Sequence, residues 1–486
     1  MASIEEIRKE RLQKLEMLRE QGMDPYPSDV ERTHSLAEVR ASFDALAGKE
    51  PVAVVGRIMA RRGQGAISFV DLDDGTDRFQ AVFKKDTVAE YFDLFLEAVD
   101  IGDHILVKGV PFATERGEQS IAVERWQILS KSLRPLPEKW HGLQDPEARF
   151  RQRYLDLLLN SDLRQMFERK AHFWQVVRSF LAEEKMLEVE TPTLEHTTGG
   201  AEARPFQTHH NDFDIDVFLR ISVGELWQKR LMAAGFSRVF EIGRVYRNEG
   251  TSPEHVQEFT NAEFYAAYMN FDDGKELIKR LYRRIADEVY GTTQFEKGEY
   301  SFDLADEWEE IDYVDTVKEK TGIDVLTATD EEMRSKLEEL DQMYEGDTRE
   351  RMIDTLWKYC RKQIAGPVFL TGHPLIVAPL SKTDPENPEK TKTLQIIIAG
   401  SEIGRAHAEL NDPIEQRKRF EIQQGLLEKG DEEAMMPDWE YVEAMEYAFP
   451  PTFGFGFGDR LFAYLENKPI RETQLFPLLR PKDSHQ

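Results

Sequence analysis

The chain has 486 residues, a length that predicts two or more domains, and its 40% hydrophobic content excludes a disordered chain. It contains no apolar run of the roughly 18–20 residues that a membrane helix needs, and its single cysteine, Cys360, excludes an internal disulfide and a cysteine-rich zinc site. The net charge of -28 would argue against a nucleic-acid partner if it were spread evenly, so we expect any such contact to be confined to particular faces.

The first 50 residues are a predicted helical extension. Their charges alternate in sign around Ile7, Leu12, Leu15 and Leu18, which is the pattern of an exposed amphipathic helix. The charged start, Met1–Glu6, lacks the apolar segment of a signal peptide, so we expect a cytoplasmic protein.

Residues 51–135 show short alternating strands separated by glycine-containing turns, with a helical stretch from Val88 to Val99 before the fourth strand. The five predicted strands are Val52–Arg57, Ile67–Leu72, Arg78–Phe83, His104–Gly109 and Ser120–Glu124. This order is typical of an OB-type barrel, a fold that binds single-stranded nucleic acid by stacking and electrostatics. The pattern alone leaves open a barrel that only packs or that binds a sugar.

The segment Leu133–Pro137 predicts a domain boundary, and we assign residues 136–160 to a linker and residues 161–486 to a second domain. A long helix is predicted to begin near Asp162, where Gln165 is placed for a capping box. Its apolar positions, which recur at helical spacing and predict a core or subunit-interface face, are Phe173, Val176, Val177, Phe180 and Leu181.

The second domain alternates hairpins with helices. Extended segments between Phe213 and Met269 are broken by one predicted helix, Val223–Ala234, and by the hairpin loop Asn248–Pro253. An acidic, mostly helical insertion is predicted at about residues 296–366. The arrangement is typical of an α+β domain built on an antiparallel β-sheet flanked by helices.

Three predicted strands carry charged and aromatic residues at every second position, so these side chains share one face of the sheet. The residues are Val245 and Arg247, with Glu249 at the loop; Phe259, Asn261, Glu263 and Tyr265; and Arg405, His407 and Glu409. Burying so many charges costs free energy unless they pair with each other or meet a charged ligand. The pattern alone does not separate a site for a charged ligand from ion pairs on a solvated sheet.

Three segments resemble, in order, the three motifs of class II aminoacyl-tRNA synthetases. Phe180–Pro192 is similar to motif 1, Arg247–Gly250 with His255 and the strand Glu258–Tyr265 is similar to motif 2, and Gly454–Arg460 is similar to motif 3. The resemblance implies a catalytic domain of that fold and a homodimer formed through the motif 1 region.

The closer resemblance, over nearly the whole chain, is to the lysyl-tRNA synthetases. It depends on linker residues 141–145 and Arg151–Leu157, on the loop residues Gly199–Ala201 and Ala203–Phe206, and on the segment Glu409–Pro413. It implies that the barrel binds the anticodon. It also implies that the chain activates L-lysine with ATP and Mg²⁺, forming lysyl-adenylate, and transfers lysine to the 3′ end of tRNA(Lys).

The resemblance further implies roles for single residues, with Arg247 and Arg460 as the catalytic pair because two anions must meet in this reaction. For ATP, the resemblance implies that Arg247 contacts the α-phosphate and also the lysine carboxylate. Arg460 contacts the far phosphates, with His255 assisting, and packs against adenine. Phe259 stacks on adenine, Glu249 accepts from its amino group, and Glu402 binds Mg²⁺.

For lysine, the resemblance implies that Glu225 binds the α-amino group, that Glu263 and Glu409 frame the substrate, and that Tyr265 supports the ε-ammonium. Gly200, Arg247 and Arg405 complete the lysine site. For the anticodon, the resemblance implies Phe69 as the stacking aromatic, with Arg61, Gln80 and Glu124 reading a uridine-rich sequence.

Three residues depart from the lysyl pattern. Gln395 stands where a second magnesium-binding glutamate is usual, Arg405 where an asparagine usually helps to bind lysine, and His407 where an aromatic residue is usual. The Arg405 cation would repel the lysine ammonium unless it pairs with Glu402 or another acidic neighbour, or points to phosphate.

Two other functions remain open at this point. One is a synthetase-like ligase that activates another basic amino acid or modifies a protein, although such paralogues generally lack the anticodon barrel. The other is a non-catalytic tRNA-binding paralogue, which would be expected to lose Arg247 or Arg460, and both are present.

Overall fold

The computed structural model describes residues 3–89, 91–137, 145–201, 203–343, 348–428 and 434–481, and within these ranges no helix has the length and apolarity to span a membrane. The chain forms two compact units, Met1–Asp145 and Pro146–Gln486. Residues 141–144, which carry part of the linker resemblance, lie outside the described residues. The predicted linker residues from Pro146 onward form two short helices, Pro146–Arg151 and Arg153–Leu159, and belong to the second unit.

The first unit combines five strands with short helices. Its strands are β1 (Val52–Gln64), β2 (Ile67–Asp73), β3 (Arg78–Lys84), β4 (His104–Ala113) and β5 (Gln119–Ser130). Its helices are α1 (Ile4–Glu20), α2 (Leu36–Ala41), α3 (Phe43–Leu46), α4 (Lys85–Val88) and α5 (Tyr91–Ala98).

The strands close into a barrel in the order β1-β2-β3-β5-β4, which confirms the predicted OB-type architecture. Alternate side chains, such as Val70 and Leu72 of β2, fill the barrel interior. Leu18 of α1 and Leu36 and Val39 of α2 belong to the same apolar core. The first 50 residues therefore pack as part of the barrel unit.

The predicted helical stretch from Val88 to Val99 is divided between the end of α4 and α5. Ala89 follows α4 with φ 53° and ψ -127°, a conformation that lies outside the helical region. The apolar periodicity of the stretch was a correct indication of helix, but it carried no signal for this break.

The second unit mixes helices with a large sheet and several small ones. The strands of the large sheet are β6 (Leu187–Glu188), β10 (Arg238–Tyr246), β11 (Glu258–Ala267), β14 (Glu309–Asp312), β15 (Val368–Thr371), β18 (Thr393–Ile398), β19 (Ser401–Ala408) and β20 (Thr452–Gly458). The strands of the small sheets are β7 (Leu194–Glu195), β8 (Gln207–His210), β9 (Ile215–Leu219), β12 (Gln294–Lys297), β13 (Tyr300–Asp303), β16 (His373–Pro374) and β17 (Lys390–Thr391). The helices are α6 (Pro146–Arg151), α7 (Arg153–Leu159), α8 (Ser161–Glu183), α9 (Glu225–Ala233), α10 (Phe271–Ile285), α11 (Tyr313–Thr321), α12 (Asp330–Glu339), α13 (Arg349–Arg361), α14 (Pro413–Glu428), α15 (Trp439–Glu446) and α16 (Asp459–Leu465), with a π-helical turn at Ala286–Tyr290 and 3₁₀ turns at Leu375–Val377 and Ile470–Thr473.

The large sheet has the strand order β14-β15-β18-β19-β20-β11-β10-β6. Neighbouring strands are antiparallel except at the edges, where β14 is parallel to β15 and β6 is parallel to β10. One face packs on α8 and α10, since Phe264 and Phe455 share a core with Phe173 and Leu281. The predicted antiparallel α+β domain is confirmed, and its other face is available to line a site.

Two local predictions for the second unit are wrong. The N-cap of α8 is Asn160, whose Oδ1 accepts from the backbone N–H of Leu163 at 3.2 Å, so the helix begins before the predicted capping box at Asp162 and Gln165. The region predicted as a mostly helical insertion contains the hairpin β12–β13 and strand β14, which is part of the large sheet. Its helices start only at α11, and residues 344–347 lie outside the described residues.

Candidate active site

A cavity of about 540 Å³ lies on the face of the large sheet that is turned away from α8 and α10. The alternation along β11 produces this division. Phe259, Asn261, Glu263 and Tyr265 line the cavity, whereas Phe264 points into the core on the other side. The cavity lining also includes Arg247, Glu249, Arg405, His407 and Glu409, which confirms the predicted common face for these residues. Val245, the other residue predicted on this face, is buried and does not line the cavity.

The glycines of β20 make room for the side chains of its neighbours. They alternate with Phe453, Phe455 and Phe457, whose side chains belong to the core, so Gly454, Gly456 and Gly458 are the residues of the strand on its cavity face. A Cβ atom on Gly454 would lie 2.1 Å from Glu409 Oε1, and one on Gly456 would lie 3.0 Å from Glu263 Cγ. The carboxylates of Glu409 and Glu263 can occupy their positions only because the residues beside them are glycines.

Three buried carboxyl groups, Glu225, Glu263 and Glu409, lie at one end of the cavity. Glu263 accepts hydrogen bonds from the Val223 backbone N–H (2.8 Å), and the hydroxyl of Tyr265 donates to it (3.1 Å). Burial and the nearby charge of Glu225 raise the pKa of Glu263 to about 7. This end of the cavity thus holds more carboxyl groups than it can easily keep ionised without further cations.

A lysine of the chain itself, Lys229, sits among these carboxyl groups. Its Nζ lies 2.6 Å from Glu225 Oε1 and 2.6 Å from Glu409 Oε2, and 5.8 Å from the ring centre of Tyr265. Burial works against its charge, but Glu225 and Glu409 outweigh burial and raise the pKa of Lys229. Burial raises the pKa of Glu409 to about 8; Lys229 opposes this rise and Glu225 adds to it. The short contact with Lys229 favours the ionised form of Glu409, but burial and Glu225 outweigh it, so the cluster of three carboxyl groups as a whole is short of cations.

Two arginines lie at the other end of the cavity. Arg247 donates from Nε to the carbonyl of Ile221 at 3.2 Å, and its guanidinium carbon lies 5.4 Å from the ring centre of Phe259. Arg460, in the first turn of α16, donates from Nη1 to the carbonyl of Glu402 at 3.0 Å. Both residues line the cavity, and among the described residues neither makes a hydrogen bond to a carboxylate.

His255 adjoins Arg460, with its Nε2 3.3 Å from Arg460 Nη2. Burial, and then the charge of Arg460, lower the pKa of His255 to about 4. A neutral imidazole can donate or accept one hydrogen bond without adding charge. The expected neighbourhood of Arg247, Phe259, His255 and Arg460 is therefore present in one cavity.

Helix α13 supplies a wall of the cavity that the sequence did not predict. Trp357 donates from Nε1 to Glu402 Oε1 at 2.8 Å, and Arg361 donates to the carbonyl of Gly400 at 2.6 Å. Lys358 and Asp354 also line the cavity. Asp354, Trp357, Lys358 and Arg361 recur at i, i+3, i+4 and i+7, so they share one side of the helix, with Trp357 at the border of its apolar side. This helical spacing of polar residues was the available signal.

Glu402, the residue expected to bind Mg²⁺, is held in place by this wall. Burial alone would raise the pKa of Glu402, but Arg361, the Trp357 N–H, Arg460 and Arg405 together lower it. Among the described residues no group of three or more His, Cys, Asp or Glu is arranged to hold a metal ion. One ionised carboxylate fits Mg²⁺ that arrives on phosphates, since Mg²⁺ is commonly bound by one or two carboxylates plus substrate phosphates.

The three departures from the lysyl pattern form a group beside Glu402. Gln395 pairs with Arg405 across the strands, and its Oε1 contacts His373 Nε2 at 3.0 Å. Arg405 donates from Nη2 to the carbonyl of Val377 at 2.8 Å. Burial, and then the Arg405 charge, lower the pKa of His373 to about 4 and that of His407 well below its usual range. Arg405 is thus anchored to the backbone, and both histidines are neutral.

In the barrel unit, Phe69 is only partly buried on the outer surface of β2 and is not part of the core. Gln80 of β3 accepts a hydrogen bond from Ser120 at 2.9 Å, and Glu124 of β5 is exposed. Arg61 is not brought to this face. It pairs with the inward-facing Val70 and donates to the carbonyls of Leu96 (3.3 Å) and Val99 (2.7 Å).

Arg62 takes the place beside Phe69 that we expected for Arg61. It pairs directly with Phe69 across β1 and β2, and it makes an exposed ion pair with Asp71 at 3.0 Å. The register of β1 could not be read from the sequence, because a bulge between Ile58 and Ala60 shifts the face to which each later residue belongs.

The fold and the cavity define a class of protein, and comparison with known families agrees. Residues 145–480 match the family model for tRNA synthetases class II (D, K and N), and residues 52–129 match that for the OB-fold nucleic acid binding domain. The chain is therefore a class II aminoacyl-tRNA synthetase with an N-terminal OB-fold domain.

Full-length relatives narrow the class further. The chain is 41% identical to the lysine–tRNA ligase of Thermotoga maritima, over 99% of this chain and 97% of the relative. It is 42% identical to the lysine–tRNA ligases of Halalkalibacterium halodurans (98% and 97%) and Bacillus subtilis (97% and 97%). The chain belongs to the lysine–tRNA ligase family.

Proposed function

We propose that this chain activates L-lysine with ATP, forms lysyl-adenylate and transfers the lysine to the 3′ end of tRNA(Lys). The observation that carries the proposal is the division of one cavity into a carboxylate end, with Glu225, Glu263 and Glu409, and an arginine end, with Arg247 and Arg460. Lysine bears two ammonium groups and one carboxylate, whereas ATP is a polyanion. The two ends match these two substrates in charge.

In this proposal the first step is in-line attack of the lysine carboxylate on the α-phosphate, with pyrophosphate as the leaving group. Arg247 would contact both anions, and Arg460 would contact the far phosphates beside the neutral His255. Catalysis then comes from positioning and charge neutralisation, and no covalent enzyme intermediate is needed. Glu402 would hold Mg²⁺ together with phosphate oxygens, and bound Mg²⁺ would add to the neutralisation of phosphate charge.

The proposed contacts place adenine at the arginine end of the cavity and lysine at the carboxylate end. Phe259 would stack on adenine, and Glu249 would accept from its amino group. Glu225 would bind the α-amino group beside the close approach of Gly200, at which a Cβ would lie 2.6 Å from Glu225 Cβ. Glu263, Glu409 and Tyr265 would frame the side chain of lysine.

The barrel would bind the anticodon on the surface that carries Phe69, Gln80 and Glu124. Arg62 supports this role better than Arg61, because it shares that surface and its guanidinium is exposed. Stacking of a base on Phe69 with a neighbouring cation is the usual way in which OB-folds bind single strands. A homodimer through the motif 1 region and a cytoplasmic location complete the proposal.

The test is ATP–pyrophosphate exchange with Mg²⁺ and each of the standard amino acids in turn, followed by charging of tRNA(Lys). We expect exchange with lysine and charging of tRNA(Lys). Exchange with another amino acid, or no exchange at all, would overturn the substrate assignment, and exchange without charging would overturn the tRNA assignment.

A further inference from the structure

Lys229 is a buried cation for which the proposed substrate contacts give no role. It lies on α9 four residues after Glu225, and its side chain is fully buried. Its Nζ is 2.6 Å from a carboxylate oxygen of Glu225 and 2.6 Å from one of Glu409. These two carboxylates belong to separate elements, since Glu225 opens α9 and Glu409 follows β19. Lys229 therefore links the start of α9 to the end of β19 by contacting a carboxylate on each.

The carboxyl groups around Lys229 can still accept further hydrogen bonds. Glu409 Oε1 has no hydrogen-bond partner among the described residues, and Gly454 provides the space in front of it. Glu263 takes its hydrogen bonds from Val223, Asn261 and Tyr265, all of which are neutral. The cluster thus has three carboxyl groups and one ammonium, which contacts two of them, so two further positive charges would neutralise it.

We infer that Lys229 is a positioning and specificity-determining residue, a fixed ammonium that holds Glu225 and Glu409 in place and sets the number of further ammonium groups that the pocket accepts at two. The inference rests on the proposed function, because the two further ammonium groups are those of the lysine substrate. With Arg247 on the substrate carboxylate, three carboxylates, Lys229, Arg247 and zwitterionic lysine with its charged side chain sum to zero net charge.

A neutral residue at position 229 would leave Glu225 and Glu409 to repel each other across the site. The groups that face Lys229 from the other packed elements are Tyr265 of β11, Tyr441 of α15 and His407 of β19. The tyrosine hydroxyls are uncharged at neutral pH and His407 is neutral, so none of them replaces the lost cation. The carboxyl groups would then take up protons and present a donor where lysine needs an acceptor.

The experiment compares wild-type protein with Lys229→Met, of similar length and no charge, and with Lys229→Ala. Lysine-dependent ATP–pyrophosphate exchange is measured from pH 6.5 to pH 9. Since truncation of one member of a buried charge pair costs at least about 2 kcal/mol, we expect the KM for lysine to rise by about 30-fold or more at pH 7 in Lys229→Met. The KM for ATP should stay within about 3-fold, and the lysine defect should shrink as the pH rises because the carboxyl groups lose their protons.

Chemical rescue separates the charge of Lys229 from its bulk. In Lys229→Ala we expect added n-propylammonium to restore a large part of the lysine affinity, whereas n-butanol, which is uncharged and of similar size, should not. ATP binding measured by calorimetry reports whether each variant is folded. Should Lys229→Ala fail that check, the pH profile of Lys229→Met decides alone.

The outcomes separate the inference from the proposed function. Wild-type exchange with lysine together with an unchanged KM for lysine in Lys229→Met overturns the inference and leaves the function intact. Equal losses of lysine and ATP affinity, with no pH dependence and no rescue, would show that Lys229 acts only in packing, which also overturns it. Absence of lysine-dependent exchange in the wild type would overturn both.

Discussion

The missing side chain of Gly454 determines where the Glu409 carboxylate can lie in the site. Gly454 of β20 pairs with Tyr265 of β11 on one side and with His407 of β19 on the other. Because Gly454 has no side chain, Glu409 Oε1 can occupy the space that a Cβ atom would take. A methyl group there would also lie 2.5 Å from the ring of Tyr265. The restriction is steric, since Gly454 has no positive φ that would favour glycine for its backbone.

Gly454→Ala should therefore raise the KM for lysine by about 10-fold or more, because the displacement of one hydrogen-bonding carboxylate costs roughly 1–3 kcal/mol. The KM for ATP should change little. Exchange kinetics with each substrate varied would measure this, with Gly425→Ala as a matched control, since a Cβ at Gly425 of α14 meets nothing within 4 Å. Equal effects of the two substitutions would contradict the steric account.

The protonation of the carboxyl groups gives a second prediction at this scale. Glu263 with a pKa of about 7 and Glu409 with a pKa of about 8 are both partly protonated in the free protein at neutral pH. Lysine binding supplies cations and lowers both pKa values, so protons leave as lysine binds. The KM for lysine should fall as the pH rises from 6 to 8.

Calorimetry at pH 7 in buffers of different ionisation enthalpy would measure the proton release directly. Glu409→Gln, which cannot titrate at this position, should bind lysine more weakly, keep its ATP affinity and release fewer protons. An uptake of protons on lysine binding would be the opposite sign and would refute the assignment.

Arg405 is the residue whose role changed most between sequence and structure. From the sequence it was a cation that would repel lysine, but its guanidinium is tied to the Val377 carbonyl and its charge helps to keep Glu402 ionised. Arg405→Asn should raise the KM for ATP by about 10-fold, the effect of roughly 1.4 kcal/mol, and leave the KM for lysine within about 3-fold. A selective change in the KM for lysine would instead place Arg405 among the lysine contacts.

At the scale of elements, the parts of the fold that repeat at short range were predictable. The barrel strands and the common face of β11 and β19 follow from alternation, which is a local property. The inclusion of β14 in the large sheet and the β1 bulge were not, because each depends on pairing with another strand. The cap of α8 is a local contact, but Asn160 and Asp162 are both residues that can cap a helix, so the sequence offered two candidates two residues apart. Lys229 was missed because one of its partners is distant along the chain: an i, i+4 pair with Glu225 looks like an ordinary surface pair until Glu409 is brought to it.

Helix α13 shows how a segment without an assigned role becomes part of the site. The indole N–H of its Trp357 donates a hydrogen bond to Glu402 Oε1. Trp357→Phe keeps the apolar packing but removes the donor, so we expect the KM for ATP to rise about 5-fold to 10-fold, with a steeper dependence on Mg²⁺ concentration. Trp439→Phe, at a partly exposed position on α15, is the control for loss of an indole. No change in either substrate would remove α13 from the ATP site.

At the scale of the whole molecule, the two units should be separable by their effects on the two half-reactions. The cavity lies entirely within the second unit, so adenylate formation needs no residue of the barrel. Phe69→Ala should leave lysine-dependent ATP–pyrophosphate exchange unchanged. It should reduce charging of tRNA(Lys) by about 5-fold to 150-fold, the range expected for loss of roughly 1–3 kcal/mol of base stacking.

The register of β1 sharpens this test. Arg62→Ala should weaken tRNA charging in the same direction as Phe69→Ala, because both side chains share the outer surface of the barrel. Arg61→Ala should instead lower the melting temperature, since its guanidinium satisfies carbonyl groups at the end of α5. Tyr91→Ala, an exposed aromatic residue on α5, controls for loss of any surface ring. If Arg61→Ala impaired charging at full stability and Arg62→Ala did not, the outer surface around Phe69 would not be the anticodon site, and the RNA would have to bind near Arg61 and the end of α5.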